Sequence, residues 1–590
     1  MQQSSQDNTA AVPPHLEMAD PQIVAPSTGK QPPAEELPLD RAYYWEKTRP
    51  HRLFLTHPVD GRARHWRWAE VMDESRRVAA FLRAQNWPPR SRIVILSRNC
   101  AWWLMSELAI WMSGHVTVPI YTSLTAEAAR RLLAHCEPVA CFLGTLDNPD
   151  LVSELGAEIQ VIRFPTAPET SGVEWQTIVA EHAPLSGNPA RAADELATII
   201  YTSGTTGPPK GVMHRFGAFP YFAKAVEQAT GSGNYHRAIS YLPLAHIAER
   251  ALTETASLYR GWRIFFCENP ATFLRDLKRA RPTVFFSVPR LYAKFQAGVF
   301  EKVPAPKLER LLRLPLIGCF VRRRILRQLG LNRVRMAASG SAPIPLELVL
   351  WFRKLGLPIA EGYGTTESGI THTAPKGQWN GGTVGTNAPG VETRISQDGE
   401  IQVRSPMNMI GYYRDAVATG EVFTEDGFVR SGDLGEIDSG GWLRIKGRIK
   451  EQFKTAKGKY VLPSAIEMML GTDPSLENCL VMGSGLPAPI AVAVLSPAAQ
   501  AAAETPAGRS ELEHSLSDLR ERINRSLAPH ERIASIALTK TKWTIENGSL
   551  TPTLKLRRAV LENRYSPLLE EGRRGQNAIF WLDETQNQEH

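Results

Sequence analysis

Apolar residues along this chain follow two alternating rhythms. In WAEVMDESRRVAAFLRAQ (68–85) they return every three or four positions, which predicts a helix with one buried face. RIVILS (92–97) is a short β-branched run and predicts a strand. AWWLMSELAIWMSG (101–114) predicts a helix closed by Gly114, VTVPIY (116–121) a strand, and AEAARRLLAHC (126–136) another helix. ATII (197–200) predicts a buried strand, and TVFFSVPRLY (283–292) starts as one and breaks at Pro289. Strands alternating with helices predict an α/β fold. The expected layout is a flexible leader over 1–40, a large domain of mixed and parallel sheets with helices over 41–447, a small α/β domain over 448–565, and a polar tail over 566–590. The Ala/Pro-rich stretch 497–509 is expected to be a loop, and no internal repeat is visible.

Composition adds constraints. With 590 residues, 43% hydrophobic and 22% charged, the chain has room for more than one core and reads as globular. A net charge of +8 suits anionic partners such as nucleotides, CoA or an acidic membrane surface. No DNA- or RNA-binding signature accompanies it, so nucleic acid is not an expected partner. The six cysteines are scattered with no CxxC pair, which predicts neither zinc nor a disulfide framework and a reducing setting, the cytoplasm. The segment 101–114 is too short for a membrane span and carries Glu107. In 306–335, leucines interleave with many arginines. That composition fits a peripheral membrane helix as well as it fits a surface helix pair.

The densest chemistry lies in YTSGTTGPPKGV (201–212). Thr202, Ser203, Gly204, Thr205, Thr206 and Gly207 follow the predicted strand, and Lys210 ends the turn. Glycines let backbone approach a phosphate, hydroxyls and N–H groups donate to it, and a lysine supplies a point charge. The spacing is not that of a Walker loop, which needs Gly-Lys-Ser/Thr in succession. YLPLAHIAER (241–250) is an apolar run ending in a polar cluster that includes His246. MAASGSAPIP (336–345) places Gly340 in a tight segment. IAEGYGTTESG (359–369) combines Glu361, Gly362, Tyr363, Thr366 and Glu367: an aromatic face for a purine, a hydroxyl for a phosphate and a carboxylate for Mg²⁺. In EDGFVRSGDLGEID (425–438), Asp433 sits in a Gly-flanked turn, where a carboxylate can accept from both hydroxyls of a ribose. GWLRIKGRIKEQFKTAKGKYVLPSAIE (441–467) is a charged, Gly-punctuated junction carrying Arg448, Lys450, Lys454 and Gly458. WTIENGSLTPTLKLRR (543–558) places Lys555 after a Thr-Pro-Thr turn.

In this order, these strings resemble the signatures of the adenylate-forming superfamily: acyl-CoA synthetases, adenylation domains of peptide synthetases, and luciferases. The LPLAH-x-x-ER form is similar to that of long-chain fatty-acid–CoA ligases, and the resemblance runs from about 45 to 565. It implies activation of a fatty acid by ATP to an acyl-adenylate, then transfer to CoA, with Mg²⁺ as cofactor. It implies Mg²⁺ on Glu367 with help from Thr202, ribose contacts from Asp433 and Arg448, His246 near the reacting carboxylate, and Lys555 as a mobile lysine of the first step. Lys450 would be the pivot of a mobile small domain, Lys454 a residue near the nucleotide, and Gly458 a border of the pantetheine channel. Where relatives often carry Ser-Gly-Gly after the pivot lysine, this chain has Thr455-Ala456-Lys457-Gly458. Alternatives are an acyl-AMP ligase that loads a carrier protein, an aromatic-acid–CoA ligase, and a non-catalytic acyl- or nucleotide-binding relative.

Overall fold

A computed structural model describes residues 36–202, 210–231, 235–545, 547–551, 555–572 and 577–582. The apolar runs become the centre of an eight-stranded sheet, in the order 411–412, 210–215, 196–202, 116–120, 92–96, 140–143, 160–163, 173–174. Arg92–Leu96 pairs in parallel with Val116–Ile120 on one side and Ala140–Leu143 on the other. Helices cover both faces of such a sheet, which is why these strands read as unbroken apolar runs rather than alternating ones.

The helix Ala101–Met112 is buried around its whole circumference. A helix that is apolar on every side belongs inside a large core, and the one acid in it, Glu107, is paired there with Arg250. Gly114 follows with φ +88°, the left-handed turn that ends the helix at little cost for glycine.

Two further sheets frame the site. One runs 284–287, 336–339, 359–365, 369–373, 386–387, with its first three strands parallel. The other is antiparallel, 392–395, 400–404, 429–437, 443–448. A smaller sheet, 237–240, 263–266, 53–59, 62–67, closes the large body. After Leu443–Arg448 the chain enters a second body with its own core, in which Leu480, Val481, Ile490 and Leu538 are buried on the sheet 476–482, 490–495, 535–539, 579–581.

Two expectations change. The stretch 497–509 is not a loop but the helix Pro497–Ala502 and the start of Pro506–Ser526. Each proline stands in a first turn, where its missing N–H costs nothing. Ser496 Oγ and Thr505 Oγ1 cap the two helices, accepting from Ala499 and Gly508 N–H at 3.4 and 3.1 Å. The expected tail beyond 566 contains the end of the helix Arg558–Gly572 and the strand Ile579–Trp581, which pairs in parallel with Ser535–Thr539. Burial of Leu582 and a bond from Trp581 Nε1 to Glu513 Oε1 at 2.7 Å hold that strand in place.

Candidate active site

The ends of several strands converge on one cavity of about 2660 Å³ between the two bodies. Ordinary small-molecule sites occupy about 300–1,000 Å³, so this one has room for more than one substrate. The hairpin of Leu196–Thr202 and Lys210–Arg215 brings Thr202 opposite Lys210. The Thr202 hydroxyl donates to the Lys210 carbonyl at 3.4 Å, and both residues line the cavity. Ser203, Gly204, Thr205, Thr206 and Gly207, expected to cradle phosphate, lie outside the described residues.

Lys210 Nζ lies 4.7 Å from the centre of the Tyr412 ring. The Tyr412 hydroxyl in turn donates to Glu367 Oε1 at 2.9 Å. Gly411–Tyr412 is a two-residue strand on the outer edge of the 210–215 strand, so sheet pairing delivers that phenol. Tyr412 was not singled out from the sequence. Its signal is the Gly-Tyr-Tyr run at 411–413, two adjacent aromatics followed by Arg414 and Asp415.

The strand Ile359–Thr365 carries Glu361, Gly362 and Tyr363 into the cavity wall, with Thr366 and Glu367 in the turn beyond it. Backbone approach is close here: a Cβ on Gly364 would stand 1.9 Å from the Gly369 carbonyl oxygen. Gly340, at the end of the neighbouring parallel strand, lines the same wall. Glu361 Oε1 is buried with no hydrogen-bond partner among the described residues. Burial pushes its carboxyl up to about 7, against the pull of Arg444. An acceptor left in that state is suited to a donor brought by a ligand.

Asp433 is almost fully buried and held on both sides. Tyr363 Oη donates to its Oδ2 at 2.6 Å, and Arg448 Nε lies 3.1 Å from its Oδ1. Asp433 and Arg448 are cross-strand partners in Val429–Ile437 and Leu443–Arg448, so register alone sets this pair. Lys450 follows in a short 3₁₀ turn and also faces the cavity. Lys454 and Gly458 do not line it. They belong to the small hairpin 453–461, where Lys454 Nζ lies 4.8 Å from the Tyr460 ring and Gly458 turns the chain at φ +72°.

His246 caps the short helix Ile247–Glu249, its Nδ1 accepting from Ala248 N–H at 3.1 Å. Burial and then the charge of Lys555 push its imidazole down to about 3, so it is neutral near pH 7 with its proton on Nε2. Lys555 enters the cavity from the small body. It keeps contact with solvent there, yet the enclosing walls and then the Arg448 cation hold its ammonium below the ordinary lysine value. Asp433, Glu451 and Glu367 oppose that shift. The loop that presents Lys555 is clamped behind it: Arg558 gives Glu467 two bonds, at 2.7 and 2.9 Å, and a third to the Val481 carbonyl at 2.9 Å. The Thr-Pro-Thr turn falls partly outside the described residues, at 552–554.

The same cavity is also lined by Val226, Leu252, Met336 and Ile370, which belong to one apolar cluster. Among the described residues, no group of three or more His, Cys, Asp or Glu could hold a metal by itself. A single carboxylate, Glu367, and the Thr202 hydroxyl are oxygen donors that suit Mg²⁺ arriving with phosphates, since Mg²⁺ takes one or two carboxylates and completes its shell with substrate and water. The Lys210 ammonium cannot coordinate the ion but can pair with the same phosphates.

Comparison with known proteins identifies the family. The family described as AMP-binding enzyme matches residues 43–413, and its C-terminal domain matches 450–572. The chain belongs to the AMP-binding enzyme family. Among its relatives is a long-chain-fatty-acid–CoA ligase (FadD15) of Mycobacterium bovis, 30% identical over 580 residues, with 89% of this chain and 95% of the relative covered. Another is the peroxisomal long chain acyl-CoA synthetase 6 of Arabidopsis thaliana, 31% identical, with 85% and 80% covered. Two solved structures share the fold. The adenylation domain of a carboxylate reductase of Mycobacterium chelonae has a TM-score of 0.79 at 21% identity, covering 93% of this chain and 92% of that one. An anthranilate CoA ligase in complex with anthranoyl-AMP has 0.75 at 19%, covering 91% and 98%.

Proposed function

We propose that this protein is an AMP-forming fatty-acid–CoA ligase acting on long chains. The observation that carries the reading is that one cavity is lined both by Lys210, Glu367, Asp433 and Lys555, suited to phosphate and ribose, and by His246 and the apolar residues Val226, Leu252, Met336 and Ile370. The relatives named long-chain-fatty-acid–CoA ligases support the same substrate class.

In the first half-reaction a carboxylate oxygen of the acid attacks the α-phosphorus of ATP, the α–β bridging bond breaks, and pyrophosphate leaves. Two anions must meet, so the residues have to neutralise charge and hold the reactants in line. Lys555 bridges the carboxylate and α-phosphate. Lys210, with the hydroxyls and glycines of residues 203–207, holds the pyrophosphate side. Asp433, kept in place by Tyr363 and Arg448, accepts from the ribose hydroxyls, and Glu361 takes the exocyclic amine of adenine. Tyr363 offers its face to the base beside Gly362 and Gly340, and Thr366 donates to phosphate. Glu367 and Thr202 would hold Mg²⁺, which would supply neutralisation of phosphate charge and polarisation of the phosphoryl group. Neutral His246 donates from Nε2 toward the acyl carbonyl region without adding a charge.

In the second half-reaction the CoA sulfur attacks the acyl carbon and AMP leaves. Lys555 occupies the space this step needs, so the small body turns about Lys450, withdraws Lys555 and brings the hairpin bearing Lys454 and Gly458 toward the site. Movements of this kind often limit turnover.

The test is pyrophosphate release with ATP and Mg²⁺ over a ladder of acids, from short to long chains plus benzoate and a cinnamate, with and without CoA. Turnover that requires CoA and rises with chain length is the expected result. A burst of one equivalent that ignores CoA would instead identify a carrier-loading acyl-AMP ligase, best turnover on the aromatic acids an aromatic-acid–CoA ligase, and no release with any acid a binding protein.

A further inference from the structure

Two helices on the large body, Ala305–Arg313 and Pro315–Gln328, form a hairpin whose outer surface is unlike the rest of the molecule. Its inner side is ordinary packing: Leu308 and Leu312 are buried with Val321, Ile325 and Leu326 against Leu355 and Trp351. At the tip the helices meet closely, since a Cβ on Gly318 would stand 2.6 Å from the Leu312 carbonyl oxygen. That contact turns the opposite side of the second helix outward.

The outward side is divided along its length. Its first turns present Leu316, Ile317 and Phe320, exposed by 88%, 49% and 64%, with Leu314 beside them at 46%. Its later turns present Arg323, Arg324 and Arg327, all exposed. Leu316, Phe320, Arg323 and Arg327 fall four, three and four residues apart, so they lie on one line down the helix. At about 1.5 Å per residue, the arginines begin about 10 Å from the apolar tip. Residues 305–328 hold six arginines, one lysine and a single acid, Glu309, which faces Lys354 at 3.7 Å. Among the described residues Arg323, Arg324 and Arg327 have no carboxylate partner.

We infer that this hairpin docks the protein on an anionic lipid bilayer, with Leu314, Leu316, Ile317 and Phe320 among the acyl chains and Arg323, Arg324 and Arg327 at the headgroup phosphates. Inserted tip first, the hairpin would place Leu316 about 10 Å deeper than the first arginine, comparable to the depth of about 5–10 Å that interfacial apolar residues reach at the headgroup–acyl boundary. The charge pattern distinguishes this occupant from others. A nucleic acid offers nothing to four protruding aliphatic and aromatic side chains. A second copy packed on the same face would bring the arginine rows together without acids between them. A bilayer with anionic headgroups satisfies both halves at once.

The position serves the site. Phe300 belongs to the apolar cluster under the hairpin and also to the cavity wall, and Leu346 and Glu347, on the helix against which the hairpin packs, line the same cavity. A long-chain acid dissolved in the membrane would therefore reach the protein one helix away from its pocket. The surface stands on its own residues; its use as a supply route rests on the fatty-acid reading above.

The experiment is flotation of the full chain with vesicles of phosphatidylcholine alone and of phosphatidylcholine and phosphatidylglycerol in equal parts. Two variants are compared with the wild type, R323E/R324E/R327E and L316S/I317S/F320S. CoA-dependent turnover of octanoate in vesicle-free buffer shows that each variant is folded, and tests the ligase reading separately. An arginine near an anionic surface is worth about fivefold in partitioning. The charge-reversed variant should therefore bind the anionic vesicles at least about a hundredfold more weakly. The serine variant should lose binding at least about tenfold, and both should keep wild-type turnover of octanoate. Wild-type protein that stays with neither vesicle, or variants that float as it does, would overturn the inference. So would a change in solution mass confined to the serine variant without vesicle binding by the wild type, which would assign the face to self-association.

Discussion

The Tyr412 hydroxyl donates to Glu367 Oε1 at 2.9 Å while its ring lies 4.7 Å from Lys210 Nζ. One phenol thus orients the carboxylate and borders the lysine that would share the phosphates of ATP. Partners that orient a metal-binding carboxylate typically change metal affinity by about 10–100-fold. Tyr412→Phe should therefore raise the Mg²⁺ concentration for half-maximal pyrophosphate release by about tenfold and leave thermal stability nearly unchanged. An unaltered Mg²⁺ dependence would remove Tyr412 from the site.

Lys555 faces the cavity beside Arg448 and Asp433, on a loop fixed by the Arg558–Glu467 pair. Lys555→Ala should abolish pyrophosphate release from acid and ATP while sparing thioester formation from preformed acyl-adenylate and CoA. Loss of both half-reactions in a folded variant would show that its role is not confined to the first.

Glu361 holds its carboxyl at about 7, from an ordinary 4.5, because burial disfavours the charge. The folded state therefore binds this proton more tightly than the unfolded chain does. Its stabilising effect is present below about 4.5 and is lost as pH rises through about 7. The melting temperature of Glu361→Gln relative to wild type should climb over that interval and level off above it. A difference that stays flat from pH 4 to 9 would contradict the raised value.

Arg250 is buried with Glu107 and Glu254 and donates to Thr198 Oγ1 at 2.7 Å, joining the 101–112 helix, the 196–202 strand and the segment that follows His246. Removing one member of a buried ion cluster strands the others, at a typical cost of about 3–5 kcal/mol. Arg250→Ala should lose that much in denaturant unfolding. A loss under about 1 kcal/mol would mean that water or a rearranged side chain compensates the acids.

Much of this molecule was legible residue by residue. The helix expected over 126–136 spans those residues, and the strands at 92–96 and 116–120 end within one residue of their apolar runs. Such elements follow from periodicity and caps, which act over a few positions. The glycine- and hydroxyl-rich strings could also be recognised, because approach to a phosphate restricts residue type locally.

What escaped depends on partners far along the chain. The helices in 497–509 are the exception: their start signals are local, Ser496 and Thr505 as caps each followed by a first-turn proline, and the Ala/Pro-rich composition outweighs them in a reading by composition. Ile579–Trp581 is a strand only because Ser535–Thr539 offers an open edge, and a three-residue strand has no stability without one. Tyr412 meets Glu367 across 45 residues, and Tyr363 meets Asp433 across 70. Local pattern determined which segments are helices and strands and which strings carry the chemistry. Only the tertiary structure decided which side of the arginine-rich hairpin faces water, and that Asp433 is gripped by Tyr363 and Arg448. Burial and hydrogen-bond pairing between distant residues are set by how the sheets stack, and that information is spread over the whole chain.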